Sequence, residues 1–354
     1  MKTFKNIFEC IISPENLFAA WYTFKQDKQK KEDVLRFERD LERNIFQLHR
    51  DLKSRKYQHG EYFSFYIRDP KVRHIHKATV RDRVLHHAIF AALNPIFEPT
   101  FIANSFSCRI GKGNHKGVEA LGKMVRSESY NFTKPCFVLK CDIRKFFETI
   151  EHEKLLAILF KRIKDKDAVW LLREIIGSFS ASYSTLFEKK GLPIGNLTSQ
   201  LFANVYLNEF DQFVKQELKI KRYARYTDDF VIVGTNTSYL RSFVEPIRDY
   251  LADTMALQLH PKKVSIRKIN RGIDFLGYTL FSHYRLVRTK TRKRIFRKLR
   301  HRMSQYKNGA IGKETLEQSL QSYLGVLSHA DAYELGEVLK NQYWFTSQIK
   351  KTAP

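Results

Sequence analysis

Apolar positions fall into short runs, each closed by turn residues. Tyr223–Tyr226 and Phe230–Val233 are β-forming stretches on either side of Thr227-Asp228-Asp229, and Gly234 ends the second. Asp and Thr suit turns better than strand interiors. The pattern therefore predicts a hairpin with two adjacent carboxylates at its tip. A second strand, Phe137-Val138-Leu139-Lys140-Cys141-Asp142, also ends in an Asp, and Ile143, Phe146 and Phe147 follow it. Phe63, Phe65 and Ile67 alternate with polar neighbours up to the turn signal Asp69-Pro70. Val72, His74 and His76 then alternate with Arg73, Ile75 and Lys77, which predicts another hairpin. His74 and His76 share a strand face, but no further metal ligand is near them in sequence.

Helical spacing fills the rest. Residues 1–60 read as helical, with Val34, Phe37, Leu41, Ile45, Leu48 and Leu52 three or four apart. A helix begins at Val80, and residues 151–178 carry Leu155, Leu159, Leu172 and Ile176 at burial spacing. Residues 179–195 read as a loop or hairpin. Ser199 to Val214 and Phe243 to Leu259 read as helices, the second tolerating Pro246 in its first turn. From Tyr284 to Arg302 about half the residues are Lys or Arg, over a narrow stripe of Ile295, Phe296 and Leu299. The C-terminal piece completes a small helical unit.

Charge sharpens the picture. The chain has 354 residues, with 63 Lys plus Arg against 37 Asp plus Glu, a formal charge of +26. Such an excess points to a polyanionic partner, nucleic acid before an anionic membrane. The 28 Phe and 17 Tyr argue against disorder and offer stacking surfaces. Cys10, Cys108, Cys136 and Cys141 show no Cys-x-x-Cys pairing, so neither zinc nor a disulfide framework is expected, and a reducing cytoplasm is. No apolar run approaches the roughly 20 residues of a membrane helix.

Two carboxylates at one hairpin tip repel unless a cation sits between them. With Asp142 ending a neighbouring strand, the pattern suits a two-metal phosphoryl-transfer site. The bland alternative is a solvated acidic tip. Ser105 to His115 adds a glycine-rich basic loop, with Gly111 and Gly113 flanking Lys112. It can approach phosphate closely but lacks Walker spacing.

These same residues carry a resemblance. Tyr226-Thr227-Asp228-Asp229 resembles the Tyr-x-Asp-Asp box of reverse transcriptases, and Asp142 to Phe147 resembles their first palm motif. Between them, Gly191 to Gln200 has Ile194 where most prokaryotic members have Gln, and Gln200 where they have Pro. That variant is similar to enzymes of diversity-generating retroelements, within a group II intron-like lineage. The resemblance implies an α+β right-hand fold: an N-terminal helical extension at 1–60, fingers at 61–135, a palm at 136–283 with a finger insertion near 179–195, and a helical thumb at 284–354.

It also implies roles. Asp142, Asp228 and Asp229, with the backbone carbonyl of Ile143, would hold two Mg²⁺ ions, for which Mn²⁺ can substitute. Lys263 falls at the family's palm lysine, a general acid for pyrophosphate, or else is a plain basic residue. Arg73 and Arg109 would grip the triphosphate, Phe147 would gate the sugar, and Ile194, Gly195 and Gln200 would line the nascent pair. Lys112, Tyr226, the primer-grip turn at Leu276 and Gly277, and Arg288, Arg292, Arg294 and Arg297 of the thumb would contact nucleic acid. Expected partners are template RNA and nascent DNA, together with a small basic accessory protein oligomer or a dedicated non-coding RNA, and no membrane. The expected source is bacterial, archaeal or phage-encoded. A nuclease-bearing intron enzyme is not expected. An antiphage-defence enzyme and a non-catalytic RNA-binding or maturase-like scaffold remain as alternatives.

Overall fold

A computed structural model describes residues 2–69, 71–181 and 188–349. Among the described residues, helices and three antiparallel sheets are mixed along the chain. The central sheet has four strands in the order β4-β5-β3-β6, formed by Tyr223–Tyr226 (β4), Asp229–Gly234 (β5), Phe137–Asp142 (β3) and Ser265–Lys268 (β6). Phe63–Ile67 (β1) and Arg73–Lys77 (β2) form a separate hairpin. Ile273–Phe275 (β7), Tyr278–Leu280 (β8) and Arg285–Val287 (β9) form a small third sheet.

Strand periodicity divides the core in two. Leu139, Cys141, Phe230 and Ile232 face one side of the central sheet and join a core with the N-terminal helices, Val80–Phe97, His152–Arg162, Lys166–Gly177 and Leu197–Gln212. Their alternates Val138, Val231 and Val233 face the other side. There they pack with helix Asn114–Glu128, the β7–β9 sheet and the C-terminal helices Thr289–Lys307, Lys313–Leu327 and Tyr333–Ile349. Side chains alternate faces with period two, so one strand serves both cores.

Several predicted boundaries shift. Residues 1–60 hold four helices, Ile7–Ile12, Pro14–Lys25, Glu32–Arg39 and Leu41–Lys53. The stretch 151–178 is broken at Asp165, whose carboxylate caps Asp167 N and Ala168 N of a second helix. The helix expected from Phe243 to Leu259 ends in a π-turn at Tyr250–Thr254. Ala256 then takes φ +50°, and Leu259 pairs with Ile143 instead. The basic helix starts at Thr289, because Arg285–Val287 alternates as a strand against β8. Within 179–195, residues 182–187 lie outside the described residues. The described remainder carries an isolated bridge from Lys190 to Glu151.

Candidate active site

The site is built by strand register. Asp142, last in β3, lies directly opposite Asp229, first in β5, and opposite residues share a sheet face. Asp229 also closes the β4–β5 hairpin against Tyr226, which leaves Thr227-Asp228 as a two-residue turn. Thr227 sits in the left-handed region at φ +52°, as tight hairpin turns require. Three carboxylates are thereby brought to one end of the sheet.

Backbone contacts lock the arrangement. Ile143 N donates to Asp228 O at 3.0 Å, and His260 N donates to Asp142 O at 2.7 Å. Lys263 Nζ donates to both carboxylate oxygens of Asp142, each at 2.8 Å. Lys140, two residues before Asp142 and on its face, places Nζ 3.4 Å from Asp229 Oδ1 and donates to Asp274 O at 2.9 Å. Burial, then the Asp142 charge, pushes the Asp228 carboxyl up to about 6. Burial raises Asp229 as well, and Lys140 opposes that rise.

Under the tip lies a fully buried ion pair. Arg225 is wholly inaccessible and bonds Asp211 through Nε at 2.8 Å and Nη2 at 2.6 Å. It also donates to Thr227 O at 3.2 Å and Ser105 Oγ at 3.1 Å. Tyr223 adds a hydroxyl bond to Asp211 at 2.7 Å. Thr227 Oγ1 donates to Ser107 Oγ at 2.6 Å, and Asn204 Nδ2 holds Ser107 O at 2.9 Å. Arg225, Asp211 and Asn204 belong to no motif marked in the sequence, and Ser105 and Ser107 enter it only as part of the basic loop. One signal was present: an Arg inside the strand Tyr223-Ala224-Arg225-Tyr226, flanked by core residues, must find a buried acid.

A family model described as "Reverse transcriptase (RNA-dependent DNA polymerase)" matches residues 67–280. The chain belongs to the reverse transcriptase family. It is 24% identical over 389 residues to the group II intron-encoded protein LtrA of Lactococcus lactis subsp. cremoris, covering 90% of this chain and 61% of that one. It is 26% identical over 261 residues to protein YkfC of Escherichia coli K12, covering 63% of this chain and 65% of that one. A 91 kDa protein in a cob intron of Schizosaccharomyces pombe is 30% identical over 139 residues, 38% of this chain and 16% of that one. The chain spans less than two thirds of the length of each of these relatives.

Divalent metal is usual for this family, and the acids here suit it. Among the described residues Asp229 Oδ1 is buried with no hydrogen-bond partner, the Lys140 ammonium standing 3.4 Å off, and burial, then the Asp142 charge, holds Asp228 towards its neutral form. Both are conditions that a cation relieves. Among the described residues no three His, Cys, Asp or Glu side chains converge on one point. Asp142 is instead turned onto Lys263, so a metal held by all three acids must first take Asp142 from that lysine.

Other predicted residues divide by their partners. Arg109 is a correction. Its side chain is 6% exposed, pairs with Glu98 at 2.8 Å and donates to the carbonyls of Ile102 and Ser105 at 2.7 and 2.8 Å. With four of its five N–H donors spent on Glu98 and the two carbonyls, it braces the loop. Arg73 heads β2, exposed, close enough for its charge to act on the Tyr226 hydroxyl. Phe146 is core at 2% exposed. Phe147 is half-buried, edge-on to it at 5.4 Å, with its carbonyl accepting from Leu192 N at 2.7 Å.

The Ile194 carbonyl accepts from His76 N at 3.0 Å, which ties this loop to β2. Gly195 has φ +118°, and a Cβ there would lie 2.9 Å from Ile75 Cγ2, so only glycine fits without displacement. Gln200 is half-buried on the first turn of helix Leu197–Gln212. Lys112 folds back onto Ala103 O at 2.9 Å.

Leu276 and Gly277 form the β7–β8 turn at φ +47° and +93°. Arg288 braces that turn, donating its N to Gly277 O at 3.0 Å and its Nε to Asp274 at 2.8 Å. Arg292 and Arg297 are exposed on the basic helix and Arg294 is half-buried. From that helix Lys298 pairs with Asp69, at the tip of the β1–β2 hairpin, at 2.5 Å.

Proposed function

We propose that this chain is an RNA-directed DNA polymerase that adds deoxynucleotides to a primer 3′-hydroxyl on an RNA template. The single observation that carries this reading is the strand register that sets Asp142 against Asp229 with Asp228 in the adjoining turn. On this reading Asp142, Asp228, Asp229 and the Ile143 carbonyl would hold two Mg²⁺ ions, whose chemistry there would be acidification of the hydroxyl and charge neutralisation at the phosphates. The chain's own residues do the positioning. Lys263, released from Asp142, offers an ammonium proton to the leaving group. Phe147 stacks beneath the sugar and excludes a 2′-hydroxyl. Arg73 meets the triphosphate, and being permanently charged it suits that task.

The domains proposed for this work are fingers at 61–135, palm at 136–283 and thumb at 284–354, behind the 1–60 extension. Leu276, Gly277, Arg288 and the three thumb arginines track the primer-template backbone, and Lys112 and Tyr226 add contacts. Ile194 supports a finer reading, an error-prone copier of diversity-generating type. A branched apolar side chain cannot hydrogen-bond the nascent pair, and apolar contacts discriminate weakly. Such an enzyme would work with a small basic accessory oligomer. A dedicated non-coding RNA would mark the defence-type alternative, whereas a non-catalytic scaffold would have no use for three repelling acids.

The deciding experiment purifies the protein with its bound RNA, sequences that RNA and assays for DNA made on it. A protein that carries RNA but makes no DNA with Mg²⁺ or Mn²⁺ would overturn the polymerase reading.

A further inference from the structure

Two of the acids carry a counter-ion from the chain itself, and both counter-ions line one cavity. Lys263 Nζ donates to both oxygens of Asp142, and Lys140 Nζ stands 3.4 Å from Asp229 Oδ1. The cavity, of about 270 Å³, is lined by these two lysines and by Lys262, Arg267 and Arg288. The one acid in its wall, Asp274, already pairs with Arg288 at 2.8 Å. Among the described residues the side chains of Lys262 and Arg267 have no acid partner.

Strand register places the cavity beside the acids. Across β3 and β6, Val138 pairs with Arg267 and Lys140 with Ser265. Val138, Lys140 and Asp142 alternate along β3 and so share one face of the sheet. At about 3.4 Å per residue, Lys140 lies roughly 7 Å from Asp142 along the strand and Val138 roughly 14 Å. The floor is apolar, with Val138 1% exposed and Ile273 of β7 3% exposed. Lys140 ties the two strands together by donating to Asp274 O at 2.9 Å.

This wall suits an anion. Five cationic side chains around one small space repel one another unless a counter-charge answers them. A cation on Asp142 and Asp229 would sharpen that need, because it takes the acids from Lys263 and Lys140 and leaves both ammoniums to turn towards the cavity. Ammonium and guanidinium groups are donors only, and the Ser265 hydroxyl can donate as well, which matches the acceptor oxygens of phosphate. The space is small, below the roughly 300–1,000 Å³ of pockets for drug-sized ligands. A phosphate within a strand brings a sugar on either side. A free ion does not, and suits a space of this size.

We propose that this cavity binds a free phosphate ion, and that the ion, by drawing Lys140 and Lys263 off the acids, raises their affinity for a divalent cation. The coupling rests on the metal-binding reading of the acids and adds an anion site to it. By linkage it is reciprocal: the cation tightens phosphate by the same factor.

The test uses the full chain without nucleic acid. Mg²⁺ is titrated by calorimetry in chloride and in inorganic phosphate, at equal pH and ionic strength and with free Mg²⁺ corrected for its binding to phosphate. Phosphate should tighten Mg²⁺ binding at least about threefold. Lys262→Gln with Arg267→Gln changes two exposed positions and should erase that gain. Mg²⁺ affinity in chloride should not fall in this double variant, since neither side chain meets an acid. Equal Mg²⁺ affinity in the two salts overturns the proposal. So does a gain that persists in the double variant, which would place the ion elsewhere on a basic chain. Equilibrium dialysis with radiolabelled phosphate adds the last arm: the parent should retain label that the double variant loses. Displacement of that label by an unlabelled RNA–DNA duplex would make the occupant a strand phosphate and overturn the free-ion assignment. Mg²⁺ binding without a phosphate gain sinks this inference alone, whereas no Mg²⁺ binding in either salt sinks the metal reading beneath it.

Discussion

Asp228 is a carboxyl whose charge the fold resists. Its pKa of about 6 stands above the ordinary 3.8. Between those values the folded chain keeps a proton that the unfolded chain releases. The resulting stabilisation is fully present below about pH 4 and is lost as pH rises through about 6. A shift of this size corresponds to on the order of 3 kcal/mol. In metal-free protein, melting temperatures should therefore show a falling component between pH 4 and 6 that Asp228→Asn removes. At pH 7, Mg²⁺ should raise the melting temperature of the parent more than that of the variant. DNA synthesis by Asp228→Asn should fall by at least about a hundredfold, the upper range seen for changes one shell further from a metal, while RNA binding persists. Near-parental synthesis would remove Asp228 from the site. Ile194 offers a second test at this scale. If one buried polar contact is missing there, mispairs escape a penalty of about 1–3 kcal/mol, roughly tenfold to hundredfold in discrimination. Ile194→Gln should lower the error rate, above all opposite template adenines, as read by sequencing cDNA from both proteins on one RNA. Equal fidelity at all four template bases in the parent would remove the diversity-generating assignment.

At the scale of elements, the β4–β5 hairpin depends on what lies under it. Arg225 joins the strand, the Asp211 helix and the Thr227 carbonyl. Removing one partner of a buried pair costs about 3–5 kcal/mol, while replacing both by apolar groups is often neutral. Arg225→Met alone should therefore melt many degrees lower. Arg225→Met with Asp211→Leu should recover most of the melting temperature but not DNA synthesis, because Thr227 O still lacks its donor. Full recovery of synthesis would make the pair purely structural. The basic helix Thr289–Lys307 has its own test. Replacing Arg292, Arg294 and Arg297 with Gln should weaken primer-template binding. The log–log salt slope should flatten by about 2–3 if all three meet phosphate. A slope equal to the parent's would place the helix away from nucleic acid.

At the scale of the molecule, one sheet separates two cores, and the acids lie on the face shared with the β7–β9 sheet and basic helix. Across this space Lys298 reaches Asp69 on the β1–β2 hairpin. Half-exposed pairs contribute little, about 0–1 kcal/mol. Asp69→Asn should leave melting unchanged. It should tighten RNA–DNA duplex binding by up to about fivefold, since the tip then loses a negative charge that competes with phosphate. Weaker duplex binding would make the contact a support of the bound form.

Local pattern was enough for the strands and for the acids at their ends. A period of two with a turn signal specifies a hairpin, and Asp in a β-forming run has few other places to be. The apolar faces of the long helices were legible for the same reason: burial imposes a period. Partners distant in sequence were not. The resemblance placed Arg109 on the triphosphate, and Glu98, which it meets in the fold, gave no sign of being its partner. Arg225 with Asp211, Lys263 with Asp142, and Lys298 with Asp69 are each settled by chain segments that meet only after folding. The type of residue is written locally, and whether its charge faces solvent, metal or another side chain depends on three-dimensional neighbours that one-dimensional spacing does not encode.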